Sequence, residues 1–301
     1  MVTQPGARFR TIAAFLLAGV LMASALPVYL AAQVSRTGPP PAAPKLEKIK
    51  DDLYVIENSD VSRDALTYWG GNATVYLTNE GVILVDAKYA RSHDDLVAKI
   101  KSLTDKPVKY VVLSHNHADH AEGAQQLAAM GATVMISAAD RENLALAANP
   151  AWLPELTYIG QARLFLGGKE AQIYQFRGHT RGDTAVYFPA DRVIALGDLL
   201  TTTPVLPPIV NYTDGGNWVD WDRSVDEVLK MDFDIAIPGH GPVVTKAQVA
   251  EIRSKMGAVQ QYVRTMNREG KSAEEIAATL TKEFNFTPFR NQIPAMMQEL
   301  R

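Results

Sequence analysis

Residues 109–120 read KYVVLSHNHADH. The first five form a near-continuous apolar run, the pattern of a buried strand. The last six hold His115, His117, Asp119 and His120. On an extended segment residues two apart point the same way, so His115 and His117 can face one ion. Asp119 and His120 follow where the chain turns into the next helix, and their side chains can point to a second ion alongside. Neutral imidazoles with a carboxylate suit zinc, whereas the all-oxygen sets of calcium and magnesium are not provided. A lone histidine is an ordinary core or surface residue. Here three of the chain's six histidines leave one buried strand together, which is how a ligand set reads.

Outward from this stretch the order of elements is legible. Strands are predicted over 54–56, 74–77 and 82–85, the last two flanking the hairpin signal Asn79-Glu80-Gly81. Ser92 is read as the cap of an amphipathic helix with Leu96, Ile100 and Leu103 on one face. A helix over 121–130 ends at Gly131 and leads to a strand over 133–136. The second half repeats the rhythm, with strands over 163–166, 171–176, 184–188, 193–196 and 235–237 and a helix over 218–230. Two helices, 246–267 and 273–284, close the chain. Met256, Val259, Tyr262 and Met266 form an apolar stripe that reads as packing onto the domain. Strands followed by helices, twice over, predict an α/β layered domain with helices outside.

Composition narrows the function. The 301 residues make one large or two small domains, with 47% hydrophobic residues, enough for a substantial core. There is no cysteine, which excludes a disulfide framework, a thiol nucleophile and an iron–sulfur cluster. Beyond residue 32 there remain 28 basic against 33 acidic residues, a poor match for a polyanion, so no nucleic-acid partner is expected. Arg8 and Arg10 precede the uncharged residues 11–35, with Ala23-Ser24-Ala25 as a cleavage site and Leu30-Ala31-Ala32 as a second choice. Residues 1–32 are therefore read as a signal peptide and the body as periplasmic or secreted. The alternative is an uncleaved membrane anchor over residues 11–35. Residues 33–44, Pro- and Ala-rich, are read as a stiff linker, and residues 45–301 as the folded domain.

With this cluster and the motifs that follow it, the sequence resembles the metallo-β-lactamase superfamily. The resemblance runs in the family's order over residues 46 to about 250, through Gly178-His179-Thr180, Gly197-Asp198 and Pro238-Gly239-His240-Gly241. It implies an αββα sandwich with a dinuclear metal site at one edge of the two sheets. His115, His117 and His179 would hold the first metal; Asp119, His120 and His240 the second; Asp198 would bridge both. His93 matches nothing in the pattern. Asp86, after the 82–85 strand, resembles the family's acid that orients a ligand imidazole, with a turn or cap aspartate as the alternative reading. Asp183 and Thr184 could support the site too, although polar loop residues more often have no such role. Arg181 could meet an anionic substrate, but the reading taken is that it does not. The Asn-x-Thr sequons at Asn72, Asn211 and Asn285 are uninformative.

The implied reaction is attack of a hydroxide bridging two zinc ions on an amide, ester or thioester carbonyl, with Asp119 as the catalytic residue that positions it and passes a proton to the leaving group. Iron or manganese is the alternative metal. The substrate is a small molecule, with β-lactams among the candidates. Asp198 in the bridging position is more like the broad hydrolase branch, including glyoxalase II-like thioesterases and lactonases, and the loop TTTPVLPPIVNYTDGG (201–216) carries no Lys or Arg to anchor a β-lactam carboxylate. Pocket loops are expected over 60–72, 152–154 and 201–218, supplying Tyr68, Trp69, Trp152, Tyr212 and Trp218. Rival readings are a mononuclear iron sulfur dioxygenase of the same fold and a non-catalytic periplasmic metal-binding accessory protein. A flavin-coupled diiron reductase is disfavoured by His117, where a Glu would be needed. A full set of seven ligands argues against a structural zinc, which is normally closed by four.

Overall fold

The computed structural model describes residues 39–146, 152–204, 207–287 and 292–301. The proposed signal peptide or anchor lies outside the described residues. Among them, no helix is long and apolar enough to cross a membrane.

Two sheets are present. The first comprises β1 (Lys45–Lys50), β2 (Leu53–Glu57), β3 (Ala73–Leu77), β4 (Val82–Val85), β5 (Val108–Val112), β6 (Thr133–Ser137) and β7 (Leu156–Tyr158), in that spatial order. Neighbours are antiparallel up to β4 and parallel from β4 to β7. The second comprises β8 (Gln161–Leu166), β9 (Lys169–Gln175), β10 (Thr184–Phe188), β11 (Val193–Ala195), β12 (Ile235–Ile237) and β13 (Val244–Thr245), with only β11 and β12 parallel. The helices are α1 (Arg63–Trp69), α2 (His93–Leu103), α3 (Ala118–Ala121), α4 (Ala124–Ala129), α5 (Ala138–Leu146), α6 (Trp218–Lys230), α7 (Lys246–Arg268), α8 (Ala273–Phe284) and α9 (Gln292–Glu299).

Period-two alternation along apolar strands produces the layers. Ile83 and Val85 of β4 face the core between the sheets, against Ile173, Val186, Val193 and Ile237. Val82 and Leu84 point the other way, onto Leu96 and Ile100 of α2 and Leu127 of α4. On the far side Ile194 and Leu196 pack under Trp218, Trp221, Val225 and Val228 of α6 and Val249, Met256 and Val259 of α7. The result is helix, sheet, sheet, helix, the sandwich that the resemblance implies. All four β4 side chains are buried, and Leu84→Ala would cost about 2–5 kcal/mol in lost burial and cavity.

The helix starts carry their own signals. Thr245 with Gln248 and Ser272 with Glu275 form complete capping boxes on α7 and α8. Ser92 does not cap α2 through its side chain; its hydroxyl donates instead to Trp69 O at 3.1 Å, and a 3₁₀ turn leads into the helix. Residues 60–72, expected as a pocket loop, contain α1, capped by the Ser62 hydroxyl. The chain closes with a third helix, α9, beyond the two predicted. Part of the expected linker is docked: the carbonyls of Pro41 and Ala43 accept bonds from Trp69 Nε1 and Ser59 Oγ.

Candidate metal centre

Strand ends bring the polar residues together. Asp86 follows β4, Ser114 and His115 follow β5, Asp198 follows β11 and His240 follows β12. Backbone bonds across the gap hold these ends in register: Thr184 N–H to Ser114 O at 2.7 Å, Gly239 N–H to Gly197 O at 2.7 Å and Asn72 N–H to Gly239 O at 2.7 Å. Two donor groups result, His115, His117, His179 and Asp198 in one and Asp119, His120 and His240 in the other, with the donor atoms of each within 4.8 Å of one another. All seven residues expected as ligands are in this pair of groups.

The hydrogen bonds around the groups decide which ring nitrogens face inward. A carbonyl can only accept, so the His179 Nδ1–H donates to Ile209 O at 3.0 Å and leaves Nε2 as a lone pair. His117 Nε2 meets the Asp214 carboxylate at 2.9 Å, with the Asn211 amide nitrogen 2.8 Å away, and its Nδ1 is directed at His179 Nε2, 3.0 Å away. Ser114 gives its hydroxyl proton to Asp86, so His115 Nδ1–H donates to Ser114 Oγ at 3.0 Å. Its Nε2 is then buried without a partner. In the other group His120 Nδ1–H donates to Asp86 Oδ2 at 2.8 Å, and Nε2 faces His240 Nε2 at 3.2 Å and Asp119 Oδ2 at 3.6 Å. Asp198 divides its oxygens: Oδ2 lies 3.7 Å from His179 Nε2, Oδ1 lies 3.3 Å from His120 Nε2 and 3.5 Å from His240 Nε2. Nitrogens and carboxylate oxygens converge here at a spacing that positive charge, a proton or a metal ion, must hold together. The donor set therefore fits two divalent metals.

The electrostatics agree. Burial lowers His115 well below an ordinary histidine and takes His179 down to about 4, so both imidazoles are neutral ligands at pH 7. Burial also opposes charge on His120, but the carboxylates of Asp119, Asp198 and Asp86 overcome it and raise its pKa well above the usual value. The same attraction, chiefly from His120 and His240, holds Asp119 and Asp198 ionised against their own burial. This is a cavity that stabilises positive charge.

Several supporting residues escaped the sequence reading. Asp214, in the 3₁₀ turn Tyr212–Asp214, also accepts from Asn116 and Asn211. Asn211 N–H donates to His179 O at 2.7 Å. Asn72 donates to both Pro238 O and Gly241 O at 2.9 Å, fastening the turn that carries His240. Two of the three sequons are thus internal struts. Asp183 is buried and accepts from the backbone of His179 and Thr180, shaping the third histidine's turn. Arg181 donates to Asn143 Oδ1 at 2.9 Å and pairs with Glu142 at 3.2 Å.

The cavity above the groups, about 210 Å³, has His117, Asp119, His179, Asp198 and His240 as its floor. Its walls are Leu66, Thr67, Tyr89 and Ile209, with Arg63 at the rim. The five aromatics expected there lie elsewhere, because their apolar surface is used in packing. Trp218 is fully buried in the core beside Trp221. Trp152 packs on the helix side of the first sheet, and Tyr212 turns to Glu299. Tyr68 and Trp69 meet edge to face at 4.8 Å, and neither lines the cavity. Arg91 pins that wall, stacking 3.9 Å from the Tyr89 ring centre and donating to Tyr68 O and Thr67 O.

Comparison with known proteins places this geometry. The family model described as the metallo-β-lactamase superfamily matches residues 66–240, the span that holds all seven donors. The chain is 24% identical over 233 residues to the metallo-β-lactamase type 2 of Elizabethkingia meningoseptica, covering 74% of this chain and 89% of that protein. It is 35% identical over 104 residues to the hydroxyacylglutathione hydrolase of Rhodobacter capsulatus, covering 34% of this chain and 38% of the relative. The solved metallo-β-lactamase from Pontibacter korlensis superposes with a TM-score of 0.62 at 21% identity, over 70% of this chain and 97% of its own. The chain belongs to the metallo-β-lactamase superfamily and is a metal-dependent hydrolase.

Proposed function

We propose that the chain is an exported dinuclear zinc hydrolase that cleaves small amide, ester or thioester substrates. The observation that carries this reading is the division of Asp198 between the two donor groups, beside the imidazoles of His115, His117, His179 and His120, whose outer nitrogens are already engaged. Bound there, two zinc ions would supply Lewis acidity toward a carbonyl and draw the pKa of a water toward neutrality. The chain's own residues do the rest. Asp119, one-fifth exposed at the cavity floor and 3.0 Å from His240 Nε2, is placed to accept a proton and return it to the leaving group. Leu66, Ile209 and the Tyr89 ring favour an apolar acyl group and exclude water beside it. Among the described residues lining the cavity, Arg63 alone carries a guanidinium or ammonium group, placed for an anionic substituent of the substrate.

That cation comes from α1 and not from the loop 201–216, which carries no Lys or Arg, so the substrate would lie differently from one anchored on that loop. The aspartate between the groups and the partial likeness to a thioester hydrolase favour thioesters and lactones over β-lactams. Export rests on Arg8, Arg10 and the uncharged stretch after them, and N-terminal sequencing of the mature protein tests it.

The decisive experiment is elemental analysis of protein purified without added metal, followed by assays on a chromogenic cephalosporin, a thioester and a lactone. Two zinc per chain, with hydrolysis lost in His117→Ala, is the expected result. One iron per chain, with no hydrolysis and with oxygen uptake on a persulfide, would overturn it.

A further inference from the structure

The outer nitrogens of His117 and His179 are both held by one short segment, residues 209–214. Ile209 O accepts from His179 Nδ1–H at 3.0 Å, and the Asp214 carboxylate meets His117 Nε2 at 2.9 Å. Asn211 ties the two ends together, through its backbone N–H to His179 O and its side-chain amide to Asp214 Oδ2 at 2.9 Å. Ile209 also forms part of the cavity wall. On its other side the segment is held by α9, far outside the matched family region. Gln292 Nε2–H donates to Val210 O at 3.0 Å in a buried position. Tyr212 donates its hydroxyl to Glu299 Oε2 at 2.8 Å, while Glu299 Oε1 accepts the Val219 N–H at 2.9 Å. That amide is one of the unsatisfied donors of the α6 N-terminus, which favours a carboxylate there. Burial, reinforced by Glu299, raises the Tyr212 pKa far above the working range, so the hydroxyl remains a donor. Finally α9 is itself moored: Ile293, Met296 and Leu300 are buried in the same core as Val210, and Asn267 of α7 donates to Met297 O at 2.9 Å.

We infer that α9 is a C-terminal clamp on the metal centre, in which Gln292 and Glu299 are positioning residues that fix the 209–214 segment and, through it, the imidazoles of His117 and His179. The inference rests on reading that donor group as a metal site. It makes the affinity of one metal position depend on residues at the other end of the chain, while the Asp119–His120–His240 position, held by Asp86 within the first sheet, is independent of them.

The test is chelator-competition titration of zinc into metal-free full-length protein, for wild type, Gln292→Ala, Glu299→Ala and Glu299→Gln, with Leu280→Ala as a control. Leu280 is fully buried in the C-terminal core and has no hydrogen bond to the segment, so its truncation lowers stability alone. Each clamp variant to alanine should weaken one of the two zinc equivalents by 10- to 100-fold, the range for lost support behind a ligand histidine, and leave the other unchanged. Glu299→Gln, which keeps one acceptor, should recover part of the loss. Asp214→Ala combined with Glu299→Ala should lose less than the product of the single losses, because both act on one imidazole. Clamp variants that bind both equivalents as wild type does, with only the melting temperature reduced as in Leu280→Ala, would overturn the inference. A wild-type protein that takes up no zinc would overturn the metal reading itself.

Discussion

The two donor groups lie side by side but are held by different kinds of structure. His120 is braced by Asp86, at the end of a fully buried parallel strand, and the same carboxylate reaches His115 through Ser114. His117 and His179 are braced by a segment between two elements, itself held from the C-terminal helix. One support is built into the sheet; the other is assembled from parts distant in sequence. Rigidity in the first comes from strand pairing and burial, in the second from a short series of hydrogen bonds that single substitutions can open.

The largest effect should come from the residue that serves chemistry in either case. Asp119→Asn is expected to lower kcat by about 10²–10⁴-fold, measured on whichever substrate the wild type turns over best. Asp86→Ala comes next, because it removes support from both groups: both zinc equivalents should weaken by about 10- to 100-fold in a chelator titration. If only one weakens, the link through Ser114 carries nothing and the contrast between the supports is overstated.

Asp140 sharpens the comparison from beneath the His179 turn, where it accepts from Thr180 and Asn143. Burial raises its pKa from 3.8 to about 6. The folded protein therefore binds more protons than the unfolded chain between about pH 4 and pH 6, and stability falls as pH rises through that window. Asp140→Asn lacks this dependence. Urea unfolding of metal-free protein at pH 4 and pH 7 should show wild type losing up to about 3 kcal/mol relative to the variant. Equal pH dependence in the two proteins would mean that Asp140 is not buried as described.

Asp214→Ala should weaken a single zinc equivalent by about 10- to 100-fold, and the other not at all. The smallest effect belongs to the cavity rim, which touches neither support. Arg63→Ala is expected to raise KM for a carboxylate-bearing substrate about five- to tenfold, roughly 1 kcal/mol, with neutral substrates unaffected.

The same contrast explains what the sequence could and could not tell. Histidines are scarce here, so the cluster at 115–120 stood out from its residues alone, while His179, Asp198 and His240 were named through the family resemblance, each just after a predicted strand. Asp86 was named through the resemblance as well, against a turn or cap reading. Asp214, Asn211 and Asn72 were not, because their role depends on where a distant turn comes to lie; as sequence they are two sequons and a loop acid. The layers followed from period-two and helical patterns, but α1 and α9 are seven and eight residues long, too short to establish a period. The aromatic residues were misplaced for a related reason: in Trp218 and Trp152 the apolar area that suits a substrate suits a core equally well.

Two glycines under the centre carry a consequence for descent. A Cβ on Gly71 would come within 2.1 Å of the His120 ring, and one on Gly239 within 2.0 Å of Asp198 Oδ1. Neither position can accept a side chain without displacing a donor, so inherited variation there is closed off. The wall formed by α1, Tyr89 and Ile209 is under no such constraint. A lineage carrying this fold can drift toward new substrates through that wall while transmitting its reaction chemistry unchanged.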